Sequence, residues 1–137
     1  HIHGWGLFTK YDIKKDDMIT EYMGEIVRQC VADKREQAYE ISGEGSCYMF
    51  RLDLSRIVDA TVIGCMARFM NHCCQPNAYA KIITVDTEYG GVDKKIVVFA
   101  NRDIAAGEEI TYDYKFPVED GSLRCTCGAP NCIGRMN

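Results

Sequence analysis

The sequence has no long hydrophobic run. No apolar stretch approaches the roughly 20 residues that a bilayer-spanning helix needs, so no membrane partner is expected. Its opening residues, His1-Ile2-His3-Gly4-Trp5-Gly6, lack the basic start and apolar core of a secretory signal. An initiator methionine is missing too, which leads us to expect a piece cut from a longer protein. Repeats and low-complexity tracts are absent, which argues against solenoids and arrays. Positive charge is not in excess. The formal net charge is −4, so direct nucleic-acid binding is not expected, whereas a basic peptide would suit the surface.

What is present fits one domain. A chain of 137 residues with 47% hydrophobic side chains is long enough to bury a core. Eight cysteines invite a disulfide reading. Three of them, Cys30, Cys47 and Cys65, sit in apolar-rich segments and are expected to act as small core residues. The other five gather at 73–74 and 125–132. That split favours a reducing compartment with a metal site over a disulfide framework.

Along the chain, residues 7–22 read as two short strands broken by the polar turn Lys14-Lys15-Asp16-Asp17. The best helix spans 26–39, with Val27, Cys30, Val31 and Ala38 spaced among Arg28, Asp33, Lys34, Arg35 and Glu36. Gly43-Glu44-Gly45-Ser46 ends it. Short strands follow at 47–52 and 56–59, then one or two helical turns at 63–70. Strands at 80–85 and 95–100 flank a hairpin loop over 86–93. Ala106-Gly107 turns into a last strand at 109–112, and the chain is loop-like after Pro117. The expected fold class is mainly β with a few short helices.

Cys125, Cys127 and Cys132 place three thiols within eight residues. A tetrahedral zinc site needs a fourth soft ligand, and Cys74 is the natural candidate. Three unrelated thiols, or a disulfide, remain the alternatives. The spacing C-x-C-x4-C is less specific than paired C-x-x-C. A tail so poor in apolar residues cannot hold itself down by burial, and a metal would tether it.

Arg68-Phe69-Met70-Asn71-His72-Cys73-Cys74-Gln75-Pro76-Asn77 gathers a polar pair, a cysteine pair and a turn-forming Pro-Asn into ten residues. Asn71 and His72 can bind a ligand, or can satisfy loop backbone groups beside the Pro76-Asn77 turn. Gly4 and Gly6 permit close backbone approach, with no phosphate loop after them. Tyr112 and Tyr114 share a face if the last strand runs through both. They are either core aromatics beside Phe116 or phenols presented to a site, and Tyr48 is a possible third.

These residues together resemble the SET-domain protein lysine methyltransferases. His3-Gly4-Trp5-Gly6-Leu7-Phe8 is similar to the family's opening motif. Residues 68–77 resemble its R-F-x-N-H-x-C-x-P-N motif, residues 109–114 its E-[LI]-T-[YF]-D-Y motif, and residues 125–132 the post-SET zinc motif. Asp33-Lys34-Arg35-Glu36, Cys47-Tyr48-Met49-Phe50-Arg51 and Tyr112-Asp113-Tyr114-Lys115-Phe116-Pro117 are similar to the trithorax/MLL branch, and Trp5 to its Set-one-like members. The resemblance implies a SET domain over 1–116, truncated at its N-terminus, and a zinc-binding post-SET tail over 117–137. It implies a fold of short strands with a knot-like threading.

The resemblance also implies roles. His3, Trp5, Tyr48, Asn71, His72 and Thr126 would bind S-adenosylmethionine. Tyr114, Tyr112 and Tyr48 would be the catalytic tyrosines. Cys74, Cys125, Cys127 and Cys132 would hold one structural zinc. The implied activity is methylation of a histone H3 tail lysine, lysine 4 by branch, in the nucleus at chromatin. It is expected to be weak alone and raised by the activating subunits of a COMPASS/MLL-type complex docking near 26–39. A catalytically weak interaction module of the same fold is the alternative.

The chemistry suits these residue types. A free lysine amine has a pKa of about 10.4 and is mostly charged at neutral pH. A narrow aromatic channel disfavours the ammonium, and phenols and carbonyls can aim the neutral lone pair at a sulfonium methyl. A phenol at Tyr112 fills space beside the amine, which favours adding one methyl or two. Cys73 departs from the family, which usually has Ser there, and sets a spare thiol beside a proposed ligand. The stretch 88–93 looks longer than in close relatives.

Overall fold

The computed structural model describes residues 4–43, 47–116 and 123–137. Strands dominate. They are β1 (Met18–Glu21), β2 (Gly24–Arg28), β3 (Met49–Arg51), β4 (Arg56–Gly64), β5 (Asn71–His72), β6 (Ala78–Asp86), β7 (Val92–Ala100) and β8 (Thr111–Tyr112). One α-helix, α1 (Gln29–Ser42), and one 3-10 turn (Met66–Phe69) complete the described elements. The strands form small sheets, ordered β1-β7-β6, β2-β4-β3 and β5-β8. This is the mainly β class expected from the sequence. No described helix is long and apolar enough to cross a membrane.

The chain divides into two compact units. One draws on His1–Thr20, Phe69–Lys81 and Val98–Asn137, the other on Glu21–Arg68 and Ile82–Val97. In the second unit β4 is central, paired antiparallel with β2 on one side and β3 on the other. Ile57, Val58, Asp59 and Ala60 are buried in succession, so both faces of β4 are covered over this stretch. Leu52, Ala67, Ile96 and Val97 join them, and the Tyr22 and Phe50 rings meet at 5.3 Å. The β2–β4 register shifts between Gly24 and Glu25. A Cβ at Gly24 would stand 2.5 Å from the Asp59 carbonyl oxygen, so only glycine lets the strands approach there.

Asp59 has no exposed surface, and a buried carboxylate must be paired. Arg35 Nη1 donates to its Oδ2 at 2.8 Å and the Tyr39 hydroxyl donates to the same oxygen at 3.0 Å. The Thr61 N–H donates to Oδ1 at 3.0 Å. Burial by itself pushes the Asp59 carboxyl up, but the bonds from Arg35, Thr61 and Tyr39 outweigh it and hold it below the usual carboxylate range. Arg35 also donates to Glu25 Oε2 at 2.9 Å, and so ties α1 to both β2 and β4.

This network corrects the sequence-based view of the helix. Residues 26–28 are strand, because their β-branched Ile26 and Val27 pair with Val58 and Ile57. The helix starts at Gln29 and ends at Gly43, whose φ of 73° lets its N–H reach back to the Glu40 carbonyl. The expected apolar stripe does not pack. Cys30 and Val31 are exposed, and Ala32 is the buried residue of α1. An ion pair through Arg35, one of the charged residues spaced along the expected helix, replaces the stripe as the attachment.

Other expectations shift in detail. Residues 63–64 extend β4, so the helical turn begins only at Met66. The 86–93 loop shortens to a turn over 87–91, where the Gly90 N–H donates to the Thr87 carbonyl. The two strands expected over 7–22 reduce to β1 and single bridges at Phe8 and Ile13. The last strand reduces to β8, with Glu109 in a bridge before it. Cys30 and Cys47 are exposed and not core residues. Cys65 is half-buried and acts through its sulfur, which donates to the Glu21 carbonyl at 3.2 Å and accepts from the Met23 N–H at 3.3 Å. Residues 44–46, expected to end the helix, and 117–122 lie outside the described residues.

Replacing Arg35 by Met should strand the Asp59 charge and cost about 3 kcal/mol, near 10 °C in melting temperature for a chain of this size. The wild-type contribution of Asp59 is present above its unfolded pKa and lost as pH falls through its depressed folded pKa. In the variant the buried carboxyl titrates higher and is neutralised sooner. Thermal melts should therefore show the deficit shrinking between about pH 7 and about pH 4.

Candidate functional site: a parallel strand pair and a four-thiol cluster

In the first unit two stretches far apart in sequence are paired. β5 lies parallel to β8, with Asn71 opposite Thr111 and His72 opposite Tyr112. The Cys73 N–H extends the ladder by donating to the Tyr112 carbonyl at 3.1 Å. Strands of two residues cannot hold by backbone bonds alone, and buried side chains reinforce them. Asn77, 4% exposed, donates from Nδ2 to the Glu109 carbonyl at 2.8 Å and accepts the Thr111 N–H on Oδ1 at 2.9 Å. It stands in for a strand partner, as a carboxamide can. The segment around residue 109 is strapped from its other side, where the Ile110 N–H donates to the Leu7 carbonyl at 2.7 Å.

Asn71 is the polar centre of this pair. Its Nδ2 donates to Glu109 Oε1 at 2.6 Å and to the Trp5 carbonyl at 3.0 Å. The Trp5 indole is 78% exposed, with its ring centroid 6.3 Å from that of Phe69. His72 is buried, and its Nδ1 accepts the Tyr114 N–H at 3.2 Å. An accepting Nδ1 carries no proton, so the ring is neutral with its hydrogen on Nε2. Burial pushes this imidazole down, and Asp113, 3.6 Å from Nδ1, pulls against it without prevailing. Nε2 then faces Cys74 Sγ at 3.5 Å, linking the strand pair to the thiols.

The tyrosines gather beside His72. Rings of Tyr112 and Tyr114 have centroids 4.8 Å apart, Tyr114 meets the His72 ring edge-on at 5.4 Å, and Phe116 closes the row at 5.1 Å. The Tyr114 hydroxyl donates to the Met70 carbonyl at 2.8 Å, which fixes the phenol against the backbone just before β5. Tyr48 belongs to the second unit. Its N–H donates to Thr61 Oγ1 at 3.0 Å, and the Arg68 guanidinium lies 5.8 Å from its ring centroid, within cation–π range.

Cys74, Cys125, Cys127 and Cys132 bring their sulfurs within 4.8 Å of one another. Cys74 Sγ is 3.8 Å from both Cys125 and Cys132 Sγ. A tetrahedral metal–thiolate centre with bonds of about 2.3 Å has sulfur–sulfur edges of about 3.8 Å, so these positions fit a closed four-sulfur metal site. Four crowded thiols cannot all ionise without a cation. Burial pushes the Cys125 thiol up to about 12. Cys127 is drawn down to about 6 against its own burial by hydrogen bonds from the backbone of Cys74 and Ala129. Among the described residues of the tail, Arg124 and Arg135 form a bridge, the Cys125 N–H donates to the Gly134 carbonyl at 3.0 Å, and Leu123 and Ile133 are exposed.

The structure thus brings Trp5, Asn71, His72, Tyr112, Tyr114 and the four thiols into one unit. Thr126 is exposed between two thiols. His3 lies outside the described residues. Cys73 is buried and is not one of the four clustered thiols, although its sulfur interacts with that of Cys127. Two residues were not singled out by sequence reasoning. Asn77 reads as an ordinary turn residue after proline, with no signal of its clamp. Glu109 opens a recognisable motif, but its tie to Asn71 spans 38 residues and no local pattern announces it.

Comparison with known proteins agrees with this layout. A family model described as SET domain matches residues 4–115. The chain is 52% identical over 136 residues to the histone-lysine N-methyltransferase set-2 of Caenorhabditis elegans. It is 53% identical over 137 residues to the histone-lysine N-methyltransferase SETD1B of Homo sapiens, and 52% identical over 136 to set1 of Dictyostelium discoideum. These matches cover 99% to 100% of the chain, yet it spans only 7% to 9% of the relatives' own length. The motifs that the structure pairs in parallel at residues 71–72 and 111–112 fall inside the matched span, and the chain belongs to the SET-domain family.

Proposed function

We propose that the chain is the catalytic domain of a histone lysine methyltransferase that transfers a methyl group from S-adenosylmethionine to a histone H3 tail lysine, lysine 4 by branch. The observation that carries this reading is the parallel pair that sets Asn71 and His72 beside Tyr112 and Tyr114. It joins residues suited to a polar cofactor to residues suited to an amine. Asn71, His72, Trp5, His3 and Thr126 bind the cofactor, which supplies an electrophilic sulfonium methyl. Tyr48 keeps the role that the resemblance implies, contact with the cofactor and the amine channel.

The tyrosines act by orientation and desolvation. A lysine entering an aromatic channel loses its water shell, which favours the neutral amine. Tyr114, fixed by its bond to the Met70 carbonyl, presents a preorganised oxygen beside that amine. Tyr112 packs against it and limits the room for an already methylated nitrogen. The substrate tail is basic, in keeping with the chain's net charge of −4. In this reading the protein works in the nucleus at chromatin, and activating subunits of a COMPASS/MLL-type complex dock at residues 26–39. That stretch is the end of β2 and the first turns of α1, joined to β4 through Arg35.

The four thiols hold one structural zinc, which a set of four soft ligands favours. Zinc replaces the shared protons and ties the tail to residue 74. Cys74 follows two residues after β5 closes on β8, so tail folding and assembly of the strand pair are coupled.

Elemental analysis of metal-replete protein should return one zinc per chain. Cys132→Ser should lower that content and expose the tail to limited proteolysis, and a wild-type value near zero refutes the assignment. Tyr114→Phe should cut turnover by about a hundredfold while S-adenosylhomocysteine affinity holds, as expected for a preorganised catalytic group. Nearly intact turnover excludes that role. Tyr112→Phe should shift the product from monomethyl toward di- and trimethyl lysine. Mass spectrometry of histone H3 peptides reads both the site and the methyl number.

A further inference from the structure

Five of the eight cysteines fall in the first unit, and four of them form the cluster. The fifth, Cys73, follows β5 directly, and its N–H is committed to the Tyr112 carbonyl at 3.1 Å. Its side chain is buried, and its sulfur interacts with that of Cys127. A thiol without a ligand role is therefore held against one of the four proposed ligands.

A cavity of about 530 Å³ lies beside this pair. Cys73 and Cys127 line it, with Gln75, Asn101, Arg102 and Pro130. Among the described residues of its wall, Cys127 is the one sulfur drawn from the cluster. A small solute entering there meets one ligand sulfur and one spare sulfur together. Cys127 is half-buried, whereas Cys73 is 9% exposed. The first is placed to be attacked and the second to resolve the product.

We propose that Cys73 and Cys127 are an oxidisable pair: a hydroperoxide joins them as a disulfide, which withdraws Cys127 from the metal ligands and frees the tail. With hydrogen peroxide, the Cys127 thiolate takes one oxygen and becomes a sulfenic acid, and the other oxygen leaves as hydroxide. The Cys73 sulfur then attacks that sulfur. The S–S bond forms, the S–O bond breaks, and the oxygen leaves as water with the Cys73 proton. Each sulfur gives up one electron, and the broken O–O bond takes both. Three thiols, Cys74, Cys125 and Cys132, are left for a metal that binds four. In the reducing compartment expected from the cysteine usage, such disulfides are transient and redox-sensing. The effect on the tail rests on the reading of the cluster as a zinc site. Loosening the tail also displaces Thr126, so methyl transfer should fall on oxidation.

The test is to treat metal-replete chain with hydrogen peroxide, in wild type and in Cys73→Ser, a change of one atom. Wild type should become about 2 Da lighter, the mass of two hydrogens lost to a disulfide. Tryptic peptides 69–81 and 125–135 should be linked, with fragmentation placing the bond between 73 and 127. Zinc, followed with a chromogenic chelator, should leave in step with that bond, and the tail should open to limited proteolysis. Dithiothreitol with added zinc should reverse both. Before oxidation, Cys73→Ser should match wild type in zinc content and turnover. Under peroxide it should release zinc about tenfold more slowly, having no resolving thiol. A wild-type bond within the four clustered thiols, no bond at all, or Cys73→Ser losing zinc at the wild-type rate overturns the proposal. A wild-type chain that holds no zinc sinks the metal reading, and the pair then stands or falls on the mass of the 73–127 link.

Discussion

The first unit depends on the parallel contact between β5 and β8. Each strand has two residues, and the contact closes a segment of nearly forty. Closing such a loop costs entropy that two short strands cannot repay with ladder bonds. The deficit is met by side chains that act as backbone. Asn77 fills the place of a missing strand neighbour, and the Tyr114 hydroxyl anchors to the Met70 carbonyl. His72 takes the Tyr114 N–H on a ring that burial keeps neutral. Each of these groups would be costly to bury unpaired, so the pairing is specific as well as stable.

The second unit solves a different problem with the same rule. Its central strand carries Asp59 where an apolar residue would be cheaper. The charge is matched from α1 by Arg35 and Tyr39, so the helix is held by a polar network in place of an apolar stripe. A helix attached in this way keeps Val31 and Ile41 exposed. That leaves its outer surface available to the subunits proposed to act there.

Much of this was legible. The turn-rich stretch over 86–93 marked a hairpin between strands at 80–85 and 95–100, and the spacing of Cys125, Cys127 and Cys132 signalled a cluster of soft ligands. The helix was placed three residues early at each end, because Ile26 and Val27 fit a helical period as well as a strand. Periodicity could not see that β4 would claim them. The core role assigned to Cys30 and Cys47 failed for a related reason: apolar neighbours in sequence do not fix which face of an element is covered.

The sequence by itself determined the family, the mainly β class, the three motifs and the soft-ligand set, since each is written in local residue types and spacings. The tertiary structure alone decided how closely the four sulfurs gather, which carboxylate lies beside Gly6, and which way the Asn71 amide faces. These depend on contacts between residues tens of positions apart. Such contacts arise from loop closure and from pairing buried polar groups, and neither leaves a periodic trace in the chain.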